Sequence, residues 1–180
     1  MATITCACGG VCLEAVGFSM MSVVCHCTSC RTAGREFDSR SRVSPIVDVG
    51  GGTPVVLWRK DQLKCVRGCE HLEAHRLTPE SPSRRMVASC CETPMFGDFT
   101  KGFWVSIYRD RLKKPPSPSM RVMTSDVPDD VVLPEDGLPR FRGRPGKFML
   151  KLLWTWASMG FRAPKIAGLA DERLGNATLR

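Results

Sequence analysis

The residues in this chain best suited to chemistry are three short cysteine clusters: Cys6-Ala7-Cys8-Gly9, Cys25-His26-Cys27-Thr28-Ser29-Cys30, and the adjacent pair Cys90-Cys91. Thiolates this close together, drawn from three distant parts of a chain, suit zinc, which takes cysteine sulfur at about 2.3 Å in a tetrahedral shell. In a strand, residues two apart share a face. Cys25 and Cys27 are therefore expected to point the same way, with Cys30 returning from the turn that Thr28-Ser29 allows. These three thiolates would leave the fourth position of a zinc open to water or substrate. Cys6 and Cys8 have the same two-apart geometry, with Gly9-Gly10 permitting a tight turn behind them. They need further ligands, and the Cys90-Cys91 region offers the compact second half.

The other candidate residues carry less signal. Cys12 reads as a small core residue within a strand. Cys65 and Cys69 flank Val66-Arg67-Gly68 and could join a metal site, although no third partner sits near them in sequence. His26, between two ligands, is expected to point away from their metal. His71 and His75 are four apart and could share a helical face, a pair more often structural or solvated than ligating. Arg31 reads as a surface arginine that could also meet a carboxylate.

The elements that must position these cysteines lie mainly between residues 1 and 112. Val11–Val16, Met20–Val24, Pro54–Trp58 and Phe103–Tyr108 are short runs of strand length, several rich in β-branched and aromatic residues. Gly50-Gly51-Gly52 and Gly97-Asp98 are expected to turn the chain between strands. No alternating strand–helix rhythm is present, so a mainly β domain of short antiparallel strands is favoured over a doubly wound one. Composition shifts at Lys113-Lys114-Pro115-Pro116-Ser117-Pro118, which cannot pack as helix or central strand. Residues 113–146 therefore read as a proline-rich linker, acidic and extended over 126–139, and 147–180 as a C-terminal helix and tail. From Gly137 to Ala170 there is no acidic residue, against seven basic ones. The helix, expected over 147–161, sets Lys147, Lys151, Thr155, Ser158 and Arg162 along one narrow stripe. The remaining circumference is apolar, so it needs company from the β domain, a second subunit or a membrane surface. Packing on its own domain or in a homo-oligomer is the expectation.

The bulk properties are those of a soluble domain with an appendage: 180 residues, 43% hydrophobic and 24% charged. The amino terminus shows no basic and apolar signal pattern, and no apolar run approaches the roughly 20 residues that span a bilayer. A reducing cytoplasm is expected, where clustered cysteines serve metals rather than disulfides. The formal net charge of +8 counts the cysteines as neutral. One three-thiolate and one four-thiolate zinc would lower it to about +5, a modest surplus that speaks weakly for nucleic acid.

Taken together, Cys6-x-Cys8-Gly9, Cys25-His26-Cys27-x-x-Cys30-Arg31 and the stretch from Arg84 through Cys91-Glu92-Thr93-Pro94-Met95-Phe96 resemble the glutathione-dependent formaldehyde-activating enzymes, which share their domain with centromere protein V. The resemblance covers roughly residues 4–108. It implies a β-tent fold with two zinc ions per chain. Cys6, Cys8 and Cys91 would hold a structural zinc, while Cys25, Cys27 and Cys30 would hold the zinc with an exchangeable position where glutathione and formaldehyde meet. The chain departs from the family pattern at the late cysteines. Aligned through Thr93-Pro94, the first falls on Ala88, Glu92 replaces the usual glycine, and Cys90 is extra. Three outcomes are open: Cys90 completes the structural site, closes the other one, or the structural site is lost. The first is the expectation, because a buried three-thiolate structural site would be unusual.

The function implied by the resemblance is a zinc-dependent carbon–sulfur lyase that combines glutathione with formaldehyde to S-hydroxymethylglutathione. The alternative is a non-catalytic zinc-stabilised binding module, either a glutathione carrier or a partner-binding protein using the basic C-terminal block. Against nucleic acid, no stacking-aromatic motif or recognition helix is present.

Overall fold

The run Val55-Val56-Leu57-Trp58 explains the architecture of the protein. In a strand, successive side chains reach opposite faces, so an unbroken apolar run requires cover on both sides. Val56 and Trp58 enter one hydrophobic core with Ile4, Leu13, Leu63, Met86, Phe96 and Ile107. Val55 and Leu57 enter a second core on the opposite face, with Val23, Phe37, Tyr108, Phe148, Leu152 and Met159. The structure, a computed structural model, describes residues 1–40, 45–169 and the backbone of 176–178. The remainder of the expected tail, 170–175 and 179–180, lies outside the described residues.

The fold is mainly β, with two sheets and few helices, consistent with a β-tent. The strands are β1 (Ala2–Thr5), β2 (Cys12–Ala15), β3 (Met21–Cys25), β4 (Thr53–Arg59), β5 (Leu63–Arg67), β6 (Leu72–Arg76), β7 (Ser83–Ala88), β8 (Thr93–Phe99), β9 (Trp104–Tyr108), β10 (Arg121–Val122) and β11 (Asn176–Thr178). A small sheet runs β1-β2-β5, and a large one runs β10-β3-β4-β9-β8-β7-β6-β11. Pairing is antiparallel except at the two edges of the large sheet, where β10 joins β3 and β11 joins β6 in parallel.

Four features differ from the sequence expectation. Cys30 does not return from a turn: it lies in the first turn of a 13-residue helix, α1 (Thr28–Arg40). Ala33 and Phe37, four apart, drop from this helix into the second core, while most of its other residues are polar. Gly97-Asp98 is not a turn but part of β8. Asp98 is buried and held by Lys60 Nζ at 2.8 Å and Arg84 Nε at 2.8 Å, and this pairing overrides its turn preference. His75 lies on β6 and His71 in the turn before it, so the two share no helical face.

The fourth difference is that Cys65 and Cys69 form a disulfide rather than joining a metal site. Gly68, at φ +66°, folds the chain back and brings their Cα atoms within 5.9 Å. At this pair the expectation of metal-serving cysteines fails.

The C-terminal helix α2 (Gly146–Ser158) closes one turn earlier than expected, and Gly160 N–H bonds back to the Ala157 carbonyl at 2.9 Å. Its Phe148 and Leu152, together with Met159 just beyond it, pack into the second core beside Met120 and Val122. Within the expected linker, Ser119 N–H bonds to the Ser22 carbonyl at 2.9 Å and His26 N–H to the Val122 carbonyl at 3.0 Å, so this part lies along the edge of the large sheet.

Candidate metal centres

Two groups of cysteines converge in the fold. Cys6 and Cys8 lie in the turn between β1 and β2, shaped by a Gly9 N–H bond to the Cys6 carbonyl at 3.0 Å. Cys90 and Cys91 lie in the tight connection between β7 and β8, where Glu92 takes φ +55°. Adjacent residues in a strand face opposite sides, but at this sharp turn both sulfurs aim the same way. Cys6 Sγ is 3.5 Å from Cys8 Sγ and 3.9 Å from Cys90 Sγ, Cys8 Sγ is 3.4 Å from Cys90 Sγ, and Cys90 Sγ is 3.8 Å from Cys91 Sγ. Sulfurs on a tetrahedral zinc stand roughly 3.8 Å apart, so the donor set fits a four-thiolate ion. Cys90 therefore stands with Cys6, Cys8 and Cys91, and not with Cys25.

Neighbouring groups are arranged for negative sulfur. The Val11 N–H reaches Cys6 Sγ at 3.1 Å and the Gly10 N–H reaches Cys8 Sγ at 3.4 Å. A Cβ on Gly10 would sit 3.3 Å from both Cys8 Sγ and Cys90 Sγ, so glycine lets the two turns close on one another. Burial pushes the Cys91 thiol up, but the Thr93 hydroxyl at 2.9 Å, the Cys8 backbone N–H and the Cys8 and Cys6 thiols bring it down to about 6. Arg111 is buried nearby, with Nε and Nη2 lacking a hydrogen-bond partner among the described residues. Burial lowers its pKa, and Asp110, Cys91 and Cys6 oppose that shift through their charge. A buried guanidinium with orphaned donors is costly unless negative charge faces it, and a four-thiolate divalent ion carries net −2.

The second group is Cys25, Cys27 and Cys30, whose ligand atoms all lie within 4.8 Å of one another. Cys25 ends β3, Cys27 precedes α1, and Cys30 sits in the helix's first turn. Each is half-buried, and among the described residues no fourth cysteine, histidine or carboxylate joins them. The three thiols share their protons unequally. Cys25 donates to Cys27 at 3.5 Å, which helps pull the Cys27 pKa down to about 2 and push that of Cys25 up to about 11. Cys30 is raised well above the ordinary thiol value by its bonds to Cys25 and Cys27. Arg144, exposed on the C-terminal segment, adds a smaller downward pull on Cys27. One stabilised thiolate with two protonated neighbours can take up a cation by releasing protons.

No family profile matches the chain, and no curated protein does. A solved structure of a Rhodobacter sphaeroides protein from a structural genomics programme is similar at 16% identity. The match covers 77% of this chain and 98% of that one, with a TM-score of 0.43.

Several residues that hold the three-thiol turn escape a reading of the sequence. Arg85, on β7, is buried and donates to the Ser29 hydroxyl at 2.6 Å and to the Ser29 carbonyl at 3.2 Å. Asp126, from the segment expected as a linker, accepts the Thr28 N–H at 2.9 Å and the Thr28 hydroxyl at 3.2 Å. It thereby caps the helix that carries Cys30. His26 does point away from the cysteines: it is fully buried, and its Nε2 lies 3.0 Å from Arg121 Nη1. Burial lowers its pKa, so the ring is neutral and accepts from the guanidinium. Arg121 also pairs with Asp48 at 2.6 Å and Asp136 at 2.6 Å, bolting β10 to the loop before β4. Arg31 is neither exposed nor available to a ligand; it is buried and donates to the Gly50 carbonyl at 3.4 Å. The local signals for these roles are weak, because every partner is distant in sequence.

Proposed function

We propose that this protein is a zinc-dependent carbon–sulfur lyase that combines glutathione with formaldehyde to S-hydroxymethylglutathione, like the family its cysteine motifs resemble. The observation that carries this reading is the half-buried Cys25–Cys27–Cys30 group, three convergent thiols that no fourth donor joins among the described residues. Cys6, Cys8, Cys90 and Cys91 are assigned to a second, structural zinc. Bound by three thiolates, zinc is a poor Lewis acid for water but lowers a thiol's pKa and positions it as a nucleophile.

In net terms, the glutathione sulfur bonds to the carbonyl carbon while the C=O π bond opens to a hydroxyl. The proton lost by the thiol ends on that oxygen. The reverse reaction cleaves the carbon–sulfur bond. The chain's own residues contribute placement. Asp126 and Arg85 hold the turn between Cys27 and Cys30, and the Arg144 cation near Cys27 suits a glutathione carboxylate.

The test is formation and breakdown of S-hydroxymethylglutathione by the purified zinc-loaded protein, corrected for the facile uncatalysed addition. The expected result is a rate well above that of Cys27→Ala; equal rates overturn the enzyme and leave a zinc-stabilised binding module.

A further inference from the structure

Helix α2 has two apolar faces, and the fold uses one of them. Phe148 and Leu152, with Met159 beyond the helix end, are buried in the second core. On the opposite side Leu150, Leu153, Trp154 and Ala157 recur at the i, i+3, i+4, i+7 spacing of a single helical stripe. Leu150 is 67% exposed, Leu153 54% and Trp154 76%. Leaving a tryptophan and two leucines in water on an ordered helix forfeits about 1.5–3 kcal/mol of burial for each aliphatic side chain, so this stripe suits a partner.

The surrounding charge states what kind of partner. Lys147 and Lys151 border the stripe, and Arg140, Arg142, Arg144 and Arg162 lie in the same acid-free block from Gly137 to Ala170. In the segment before the block, Asp126 and Asp136 are turned toward Thr28 and Arg121, while Asp129, Asp130 and Glu135 are exposed. A second copy docked face to face about a two-fold axis would bring these cations against themselves with no carboxylate from the block between them. A surface both apolar and anionic satisfies both features. Tryptophan and leucine on one side, with lysines flanking, is the pattern of a helix lying in a lipid headgroup region. No described helix is long and apolar enough to cross a membrane, and the 13 residues of α2 span only about 20 Å, so the helix would lie along the surface.

We propose that the outer face of α2 docks this protein on an anionic lipid bilayer, with Leu150, Leu153 and Trp154 in the acyl–headgroup boundary and Lys147 and Lys151 on lipid phosphates. None of Lys147, Leu150, Lys151, Leu153 and Trp154 belongs to the cysteine groups, and the inference does not rest on the lyase reading.

The experiment is cosedimentation of the full metal-loaded chain with vesicles of phosphatidylcholine alone and of phosphatidylcholine mixed with phosphatidylglycerol. Tryptophan quenching by brominated lipid is read in parallel. The expected result is binding to the mixed vesicles, weakened by added salt, with quenching that is largely lost in Trp154→Phe. Lys147→Gln and Lys151→Gln should each weaken partition on the order of fivefold. Leu150→Glu should weaken it by about tenfold or more. All are exposed positions, and an unchanged near-UV circular dichroism spectrum verifies the fold of each variant. The proposal is overturned by absence of binding to the mixed vesicles or by equal binding of Leu150→Glu. It is equally overturned by a dimer that Leu150→Glu dissociates while no vesicle binding occurs, which would make the partner a second copy.

Discussion

At the scale of single residues, the two cysteine groups differ in what surrounds them, and that difference makes separable predictions. If both cysteine groups hold zinc as proposed, Cys27→Ala should remove one ion per chain and leave the other, measured by elemental analysis of gel-filtered protein. Cys8→Ala should cost far more stability, because its sulfur ties the β1–β2 turn to Cys90, 82 residues away. A structural zinc can contribute about 10–16 kcal/mol in small domains, comparable with the net stability of a whole fold. Thermal melts of the two variants, with and without chelator, would read the contrast. Arg111→Met should weaken metal at the four-thiol group selectively, since it removes a buried cation that interacts electrostatically with Cys6 and Cys91. Zinc affinity at the three-thiol group should fall as pH falls. Cys25 and Cys30, both raised, must lose protons to bind, so protons compete with the ion at neutral pH and below. A competition titration with a chromophoric chelator at two pH values checks the sign.

At the scale of elements, α1 shows how a local reading goes wrong. The cysteine spacing around it was legible, but the helix was not, because its cap comes from Asp126, 98 residues downstream of Thr28. Asp126→Ala should destabilise the protein by about 1 kcal/mol in urea unfolding, in line with loss of a helix cap, and should loosen the Cys30 ligand more than Cys25. Asp126→Asn, which keeps an acceptor oxygen, should recover most of the loss. Gly52 illustrates a different constraint. A Cβ there would lie 2.5 Å from His26 Cε1 and 2.6 Å from Val24 Cγ1, so Gly52→Ala should push the ring out of its place beside Arg121 and disturb the strand end that carries Cys25. In α2 the apolar period was plain, yet period alone did not say which apolar side faces inward. Leu152→Ala should cost about 2–5 kcal/mol as a buried truncation, whereas Leu153→Ala should be nearly neutral.

At the scale of the whole molecule, the C-terminal third is part of the structure that builds the three-thiol group. β10 pairs with the strand that ends at Cys25, Arg121 locks His26 against Asp48, Asp126 caps the helix bearing Cys30, and α2 closes the second core. Arg121→Met should destabilise the fold by about 3 kcal/mol, leaving Asp48 and the His26 acceptor without their shared cation. It should also lower zinc occupancy at Cys25, Cys27 and Cys30 relative to the four-thiol group. By itself the sequence determined the clustering of the thiols and the mainly β character, because thiol pairs at short spacing and runs such as Val55–Trp58 carry their meaning locally. Only the tertiary structure decided that Cys90 joins Cys6 and Cys8, that Cys65 pairs with Cys69, and that two arginines and three aspartates from distant segments hold the three-thiol group. The reason is physical. A sulfur's direction depends on how two turns meet, and a cap or buried ion pair depends on which strand edges lie side by side. Neither is encoded within the few residues that surround the group itself.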